Sequence, residues 1–311
     1  MIKPFLTYEQ QLEKLSNEKQ LKISNPVLAK QALMEIGYFS LIGGYKTPFI
    51  DPMTRVYQDA SLEDIYALFN FDQNLRELTF KYLCKVERKI RQLISYCFCE
   101  EYGEMQSFYL SSQSYNHSPK LNKDVSRLIS ILSFHANINT EHAYLVHQRN
   151  VYHNVPLWVV MNALTFGQAS KFYTLLPSSL QSKISKSYPN VNERGLESYL
   201  KCLTLFRNVC AHNERLYCFR LRIDFPDTII HRKLDIAKFG KQYVQGKRDY
   251  FGLVIAFRYL LSNDDFKLYK ADLVRLINIY CKNSNRIKKS ELLSFMGFPA
   301  NWTSITRYKL Q

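Results

Sequence analysis

Residues 61–103 read SLEDIYALFNFDQNLRELTFKYLCKVERKIRQLISYCFCEEYG. Between Ser61 and Tyr102 there is no proline and no glycine, so nothing interrupts a helix. Ser61-Leu62-Glu63-Asp64 has the composition of a helix N-terminus. Ile65, Leu68, Phe69, Asp72, Leu75 and Arg76 follow at helical spacing. Lys81, Lys85, Arg88 and Lys89 recur at i, i+4 and i+7 and share one face. Glu87 and Arg91 form an i, i+4 pair, and Gly103 supplies the stop. This stretch predicts one unusually long helix and, with it, an all-α fold.

The flanks agree. Only ten glycines and ten prolines in 311 residues leave few breakers for a many-turned β architecture. Thr7-Tyr8-Glu9-Gln10 reads as a capping box, and Ser24-Asn25-Pro26 opens a second helix that Gly37 closes. Gly37 to Tyr45 reads as a tight, buried, aromatic connection leading to Pro48-Phe49. Residues 106–120 read as a loop, and Lys123 to Phe134 as a short helix. Pro156-Leu157-Trp158 opens a helix towards Leu176, and a strong helix runs from about Glu193 to Tyr217. Phe219 to Phe225 alternates and reads as extended; Tyr250–Leu261 and Asp272–Cys281 read as helices. The expected organisation is an N-terminal helical segment (1–55), a helical core (56–220) and a basic, mostly helical C-terminal extension (221–311).

Charge is uneven. Residues 1–105 carry 13 basic and 14 acidic residues, residues 106–218 carry 11 and 5, and residues 219–311 carry 18 and 8. A field of that sign attracts polyanions, either nucleic acid or an anionic membrane surface; its bland counterpart is a solvated basic face. The start lacks an apolar signal region, and no apolar run approaches the roughly 18 residues of a membrane span. With seven cysteines, the expected location is a reducing cytoplasm. No phosphate-binding G-x-x-x-x-G-K-[ST], no G-x-S-x-G and no G-x-G-x-x-G occurs, so nucleotide hydrolysis, acyl transfer and dinucleotide chemistry lack support. His142 and His147 are five apart, and Cys97-Phe98-Cys99 has no second pair, so neither reads as a metal site. No cofactor is expected.

The chemistry sits on the 193–217 stretch. With Arg207 at 0° and about 100° per residue, Arg215 falls at about 80°, Asn208 at about 100°, Lys201 at about 120° and His212 at about 140°. Leu205, Val209, Cys202, Phe206, Cys210 and Leu203 fill the remaining arc. The polar arc is not the usual Lys/Glu mixture of a solvated face. A histidine whose ordinary pKa is near 6.5 can take a proton from a ribose 2′-OH or return one to a leaving oxygen. An arginine fork matches a phosphate and its pentacoordinate transition state, and an asparagine can orient either. RNA supplies its own nucleophile, so this set needs no metal. Arg207 and His212 lie about 140° apart on one helix, so a single copy grips one phosphate poorly. A composite site is expected, at a homodimer interface or in an intrachain pseudo-dimer, and the absence of a second Arg-Asn-x-x-x-His run favours the homodimer.

Arg207-Asn208-Val209-Cys210-Ala211-His212, with Arg215-Leu216 beyond it, resembles the R-N-x-C-A-H-x-x-R-L motif of AbiD/AbiF-like abortive-infection proteins, members of the HEPN superfamily with its Arg-x(4–6)-His signature. Other blocks match in order: Gly37-Tyr38-Phe39 to Pro48-Phe49, Phe71-Asp72 to Arg76, Glu87 to Arg91, His147 and Tyr152, and Pro156-Leu157-Trp158-Val159 with Leu164 to Gly167. The resemblance covers roughly residues 5–220. It implies a HEPN-type helical bundle and a metal-independent endoribonuclease toxin of phage defence. It also implies restraint by a structured non-coding RNA antitoxin. Arg207 and His212 would be the catalytic pair and Asn208 their polar support. Arg215, Lys201, Lys81, Lys85 and Arg88 would bind RNA. The His-rich stretch before Pro156 and the region after residue 220 depart from the family pattern. The rival reading is a catalytically silent HEPN module that binds RNA or a partner protein.

Overall fold

Ser61 starts the long helix by a reciprocal cap. Its Oγ accepts the Asp64 amide at 3.2 Å, and Asp64 Oδ2 accepts the Ser61 amide at 2.9 Å. The helix then runs Leu62–Tyr102, 41 residues, or about 60 Å at 1.5 Å per residue. Gly103 ends it at φ +94°, a conformation that favours glycine, with its N–H on the Cys99 carbonyl at 2.8 Å. The structure, a computed structural model, describes residue 2, residues 4–284, residues 286–308 and residue 310.

A helix of this length survives in water only if neighbours cover its apolar side. Ile65, Leu68, Leu75, Leu83, Ile90 and Ile94 form a fully buried spine along it. The helix Asn263–Asn283 packs along it, as do Leu157–Val160, Phe166–Leu175, Ser178–Ser185 and Glu193–Ala211. With 66% of residues helical and 3% in strands, the fold is all-α. The strands are a two-residue hairpin, Lys238–Phe239 with Gln242–Tyr243. No helix among the described residues is long and apolar enough to cross a membrane.

The N-terminal segment follows its sequence signals. Thr7 makes its capping box, Asn25 caps Pro26–Ile36, and Gly37 turns the chain at φ +86°. The aromatic connection is a π-helical turn, Phe39–Gly43, that delivers Tyr45 and Phe49 to the core. The segment after residue 219 is packed into that same core. The Tyr250–Leu260 helix is almost wholly buried, and Tyr250 OH lies 2.7 Å from Thr79 Oγ1 and 2.9 Å from Tyr269 OH.

Several sequence boundaries move. The expected helix from Pro156 to Leu176 is two helices, Leu157–Val160 and Phe166–Leu175, because Thr165 and Gln168 form a capping box that restarts the chain. Residues 106–120 hold three short helical turns rather than a plain loop. The helix expected from Asp272 begins at Asn263, where Ser262 caps it by accepting the Asp265 amide at 3.1 Å. Phe219 to Phe225 joins no strand. Its alternation is one of burial, with Leu221 and Phe225 inside and their amides on the Arg248 and Lys247 carbonyls at 2.7 and 2.8 Å.

His231 is buried between two polar partners. Nδ1 lies 3.2 Å from the Thr228 amide, and Nε2 lies 3.1 Å from the Gly246 carbonyl. A neutral ring that accepts at Nδ1 and donates at Nε2 satisfies both. Burial lowers its pKa from the ordinary value, and the nearby Lys247 adds to the effect. The unfolded chain therefore binds this proton more readily than the folded one, and stability falls as pH drops below about 6.5. Urea unfolding at pH 7.5 and pH 5.5 should show a loss in the wild type that is smaller in His231→Gln; equal losses would assign the acid sensitivity elsewhere.

Candidate functional site

Asn192 caps the motif helix by accepting the Gly195 amide at 2.8 Å, and the helix runs Glu193–Ala211. Leu196, Leu200, Leu203, Phe206 and Val209 bury one face. The helix was expected to reach Tyr217 but stops six residues earlier. Asn213 adopts the left-handed conformation at φ +54°. The Glu214 amide reaches the Val209 carbonyl at 3.0 Å, and the Asn213 amide reaches that of Cys210 at 3.4 Å. This is a Schellman close, in which asparagine is among the few residues that tolerate the turn. His212 is the C-cap residue, with its amide on the Asn208 carbonyl at 2.9 Å.

The termination has a tertiary cause. Asp72 of the long helix is fully buried. Its carboxylate accepts the Tyr217 amide at 2.7 Å, the Leu216 amide at 3.0 Å, Tyr45 OH at 2.8 Å and Arg76 Nη1 at 2.9 Å. Arg76 also donates to the Glu214 carbonyl at 3.3 Å. Burial pushes the Asp72 carboxyl up, while Arg76, the two amides and the phenol pull it back. Asp72 and Arg76 thus seize the chain just after the motif and turn it from the helix axis. Sequence reading quoted both residues without seeing this role. The available signal was an acid and a base four apart on a helix face otherwise apolar.

Arg207, Asn208 and His212 all lie on the last turn and a half of the motif helix, and no side-chain hydrogen bond joins them among the described residues. Asn208 and His212 are exposed, and Arg207 is half-buried. The Arg207 guanidinium stands over the Phe80 ring at 5.8 Å, and its Nε has no hydrogen-bond partner among the described residues. An open cleft of about 440 Å³ lies against Phe80, Cys210 and Asn213, with Glu35, Gln73 and Glu77 also in its lining; none of Arg207, Asn208 and His212 lines it. Burial pushes the Cys210 thiol up to about 12, so it offers no thiolate there.

The other expected site residues fare differently. Arg215 lies beyond the helix, not at about 80° on its face, and it donates to the Gly44 carbonyl at 2.9 Å. Lys201 is paired with Glu197, and Lys85 with Asp265. Lys81 is exposed, with its ammonium 5.3 Å from the Tyr82 ring centroid. Arg88 is exposed and forms no ion pair among the described residues. Leu205, expected on the apolar arc, is 39% exposed. All seven cysteines are free, and among the described residues no three His, Cys, Asp or Glu side chains converge.

The sequence model of the Abi-like protein family matches residues 31–218, and the chain belongs to that family. The match takes in the Tyr45, Asp72 and Arg76 network and the whole motif helix, and ends just after Tyr217. No curated protein and no solved structure matches the chain.

Replacing Asp72 by Ala strands the buried Arg76 charge and releases two backbone amides. The expected cost is about 3–5 kcal/mol, the usual price of breaking a buried pair, read from urea or thermal unfolding. Asn213→Gly should leave stability nearly unchanged, whereas Asn213→Val should lose about 1–2 kcal/mol at the left-handed position. A Val variant as stable as the wild type would remove the Schellman close from the account.

Proposed function

We propose that this protein is a metal-independent endoribonuclease of the HEPN type, acting in abortive infection and restrained by a structured non-coding RNA. One observation carries the reading. Arg207, Asn208 and His212 stand on the last turn and a half of a helix whose exit is fixed by a buried ion pair, with Asn208 and His212 open to solvent. Membership of the Abi-like family supports the phage-defence role.

In this mechanism neutral His212 takes the 2′-OH proton, and the 2′-oxygen attacks the adjacent phosphorus. Arg207 balances the charge that gathers on the phosphate, and Asn208 orients the phosphate or the imidazole. The P–O5′ bond breaks as the 5′-oxygen takes a proton from a charged His212, leaving a 2′,3′-cyclic phosphate and a 5′-hydroxyl. A second copy across a two-fold axis brings Arg207 of one chain towards His212 of the other. The rival reading, a silent module that binds RNA or a partner protein, is favoured by the angle of about 140° between Arg207 and His212 round the helix, which leaves one chain a poor grip on a phosphate.

His212→Ala should lower RNA cleavage by about 10²–10⁴-fold, the usual contribution of a positioned base, with an unchanged circular dichroism spectrum. His212 is exposed, so its loss opens no cavity. Cleavage by the wild type should persist in excess EDTA and leave cyclic phosphate ends. Full activity in His212→Ala, or activity lost on chelation and restored by Mg²⁺, would overturn the reading. Light scattering should find a dimer at concentrations where RNA is cut, and a cleaving monomer would refute the composite site.

A further inference from the structure

The middle of the long helix borders a second, larger cleft of about 570 Å³. Arg88, Lys89 and Gln92 form one wall, Trp158 and Asn162 another, and the turn at Ser262 a third. Its lysine at position 85 is already neutralised by Asp265. Arg88 and Lys89 carry no ion pair among the described residues, and Lys89 is steadied over the Tyr188 ring at 4.3 Å. Desolvation lowers the Lys89 pKa from its ordinary value, a cost that a bound phosphate would offset.

Trp158 is the unusual member. A tryptophan is highly buried on average. Trp158 is 46% exposed, yet its neighbours Leu157 and Val160 are fully buried and fix the short helix that carries it. The Asn162 side-chain Nδ2 donates to the Trp158 carbonyl at 2.9 Å. A flat aromatic face is therefore presented to solvent on a rigid support beside two uncompensated cations. Basic groups with an exposed aromatic platform are how single strands are bound, each base stacking while the backbone meets the charges.

The long helix connects this cleft to the motif, with Arg88 about 80° round the helix from Phe80. Phe80, under the Arg207 guanidinium, lies two helical turns before Arg88, about 12 Å along the same helix. Cys84, between them, lies in the field of Glu87 and of Arg207, Arg88 and Arg91. We infer that this cleft carries single-stranded RNA towards Arg207 and His212, with phosphates on Arg88 and Lys89 and a base stacked on Trp158. This rests on the ribonuclease reading and names its substrate class. A duplex, whose bases are already stacked on one another, leaves Trp158 without a partner.

The two tryptophans make a direct test. Trp302 is buried against Phe298, so Trp158 alone can be quenched by a stacked base. The probe is a 2′-O-methyl oligouridine of about 12 nucleotides, within the usual span of single-strand sites and unable to supply a 2′-OH nucleophile. Titrated into the full-length protein, it should quench emission in the wild type and in Trp302→Phe. The quench should vanish in Trp158→Phe, which still binds through its remaining ring. Trp158→Ala should weaken binding about 5- to 150-fold, the equivalent of one stacked base. Arg88→Gln with Lys89→Gln should lower the slope of log affinity against log salt by about 1.4, two phosphate contacts on a single strand. A quench and affinity matched by a duplex, or binding indifferent to Trp158 and the two bases, would overturn the inference. Cleavage of an unmodified single strand is followed in parallel. Intact cleavage with indifferent binding removes only this path, whereas binding that depends on Trp158 without cleavage removes only the ribonuclease reading.

Discussion

Everything around the motif depends on a carboxylate that has no water. Asp72 is fully buried on the long helix, where an unpaired charge would cost several kcal/mol even after the protein relaxes. It is tolerable only because four donors close on it: Arg76, the Tyr45 phenol and the amides of Leu216 and Tyr217. These donors come from three separate stretches of chain. The carboxylate therefore acts as a joint between the N-terminal segment, the long helix and the exit of the motif helix. Such a pair contributes little net stability over an apolar substitute, but removing one partner leaves the other charge buried and unpaired.

The consequence is a helix end that stays open. A helix leaves its last carbonyls unsatisfied, and these are often buried or covered by the following segment. Here the Schellman turn at Asn213 satisfies the Val209 and Cys210 carbonyls, and Asp72 then draws Leu216 and Tyr217 inward. Arg215 ties the same segment to Gly44. Chain that would have covered the last turn is pulled aside, so Asn208 and His212 face solvent. Arg207, by contrast, is held from the other side by Phe80. The two polar ends of the motif are thus positioned by different elements, the arginine by the long helix and the histidine by the turn.

The sequence was most readable where a structure is decided locally. Ser61 with Asp64, Thr7 with Gln10, and Asn25 before Pro26 are caps set by residues within three positions of each other, and all three form. Gly37 and Gly103 end helices at positive φ for a reason carried by one residue. The end of the motif helix was not readable, because Leu216 and Tyr217 keep helical spacing and asparagine is a weaker stop than glycine. What overrides the pattern is Asp72, 144 positions earlier. The restart at Thr165 was legible in principle, since Thr165 and Gln168 are three apart, but Pro156 offered a more conspicuous start. The triad Arg207, Asn208 and His212 could be picked out by residue type and spacing. Which lysines keep their charge could not, because Lys85 meets an acid 180 positions away.

That last point bears on how the net charge of +15 is to be read. Many basic residues are already spoken for: Lys247 by Asp227, Arg248 by Asp224, Lys171 by Asp124 and Lys183 by Glu100. An exposed pair of this kind contributes at most about 1 kcal/mol and presents little field beyond its own dipole. Attraction for a polyanion therefore falls to bases left without an acid, and their positions matter more than their number. Arg88 and Lys89 are such bases, and they sit two turns along the helix that also carries the support for Arg207. The long helix is in this sense a ruler. Its buried face sets the geometry of the motif through Asp72 and Arg76, and its open face sets the distance from Phe80 to Arg88 and Lys89.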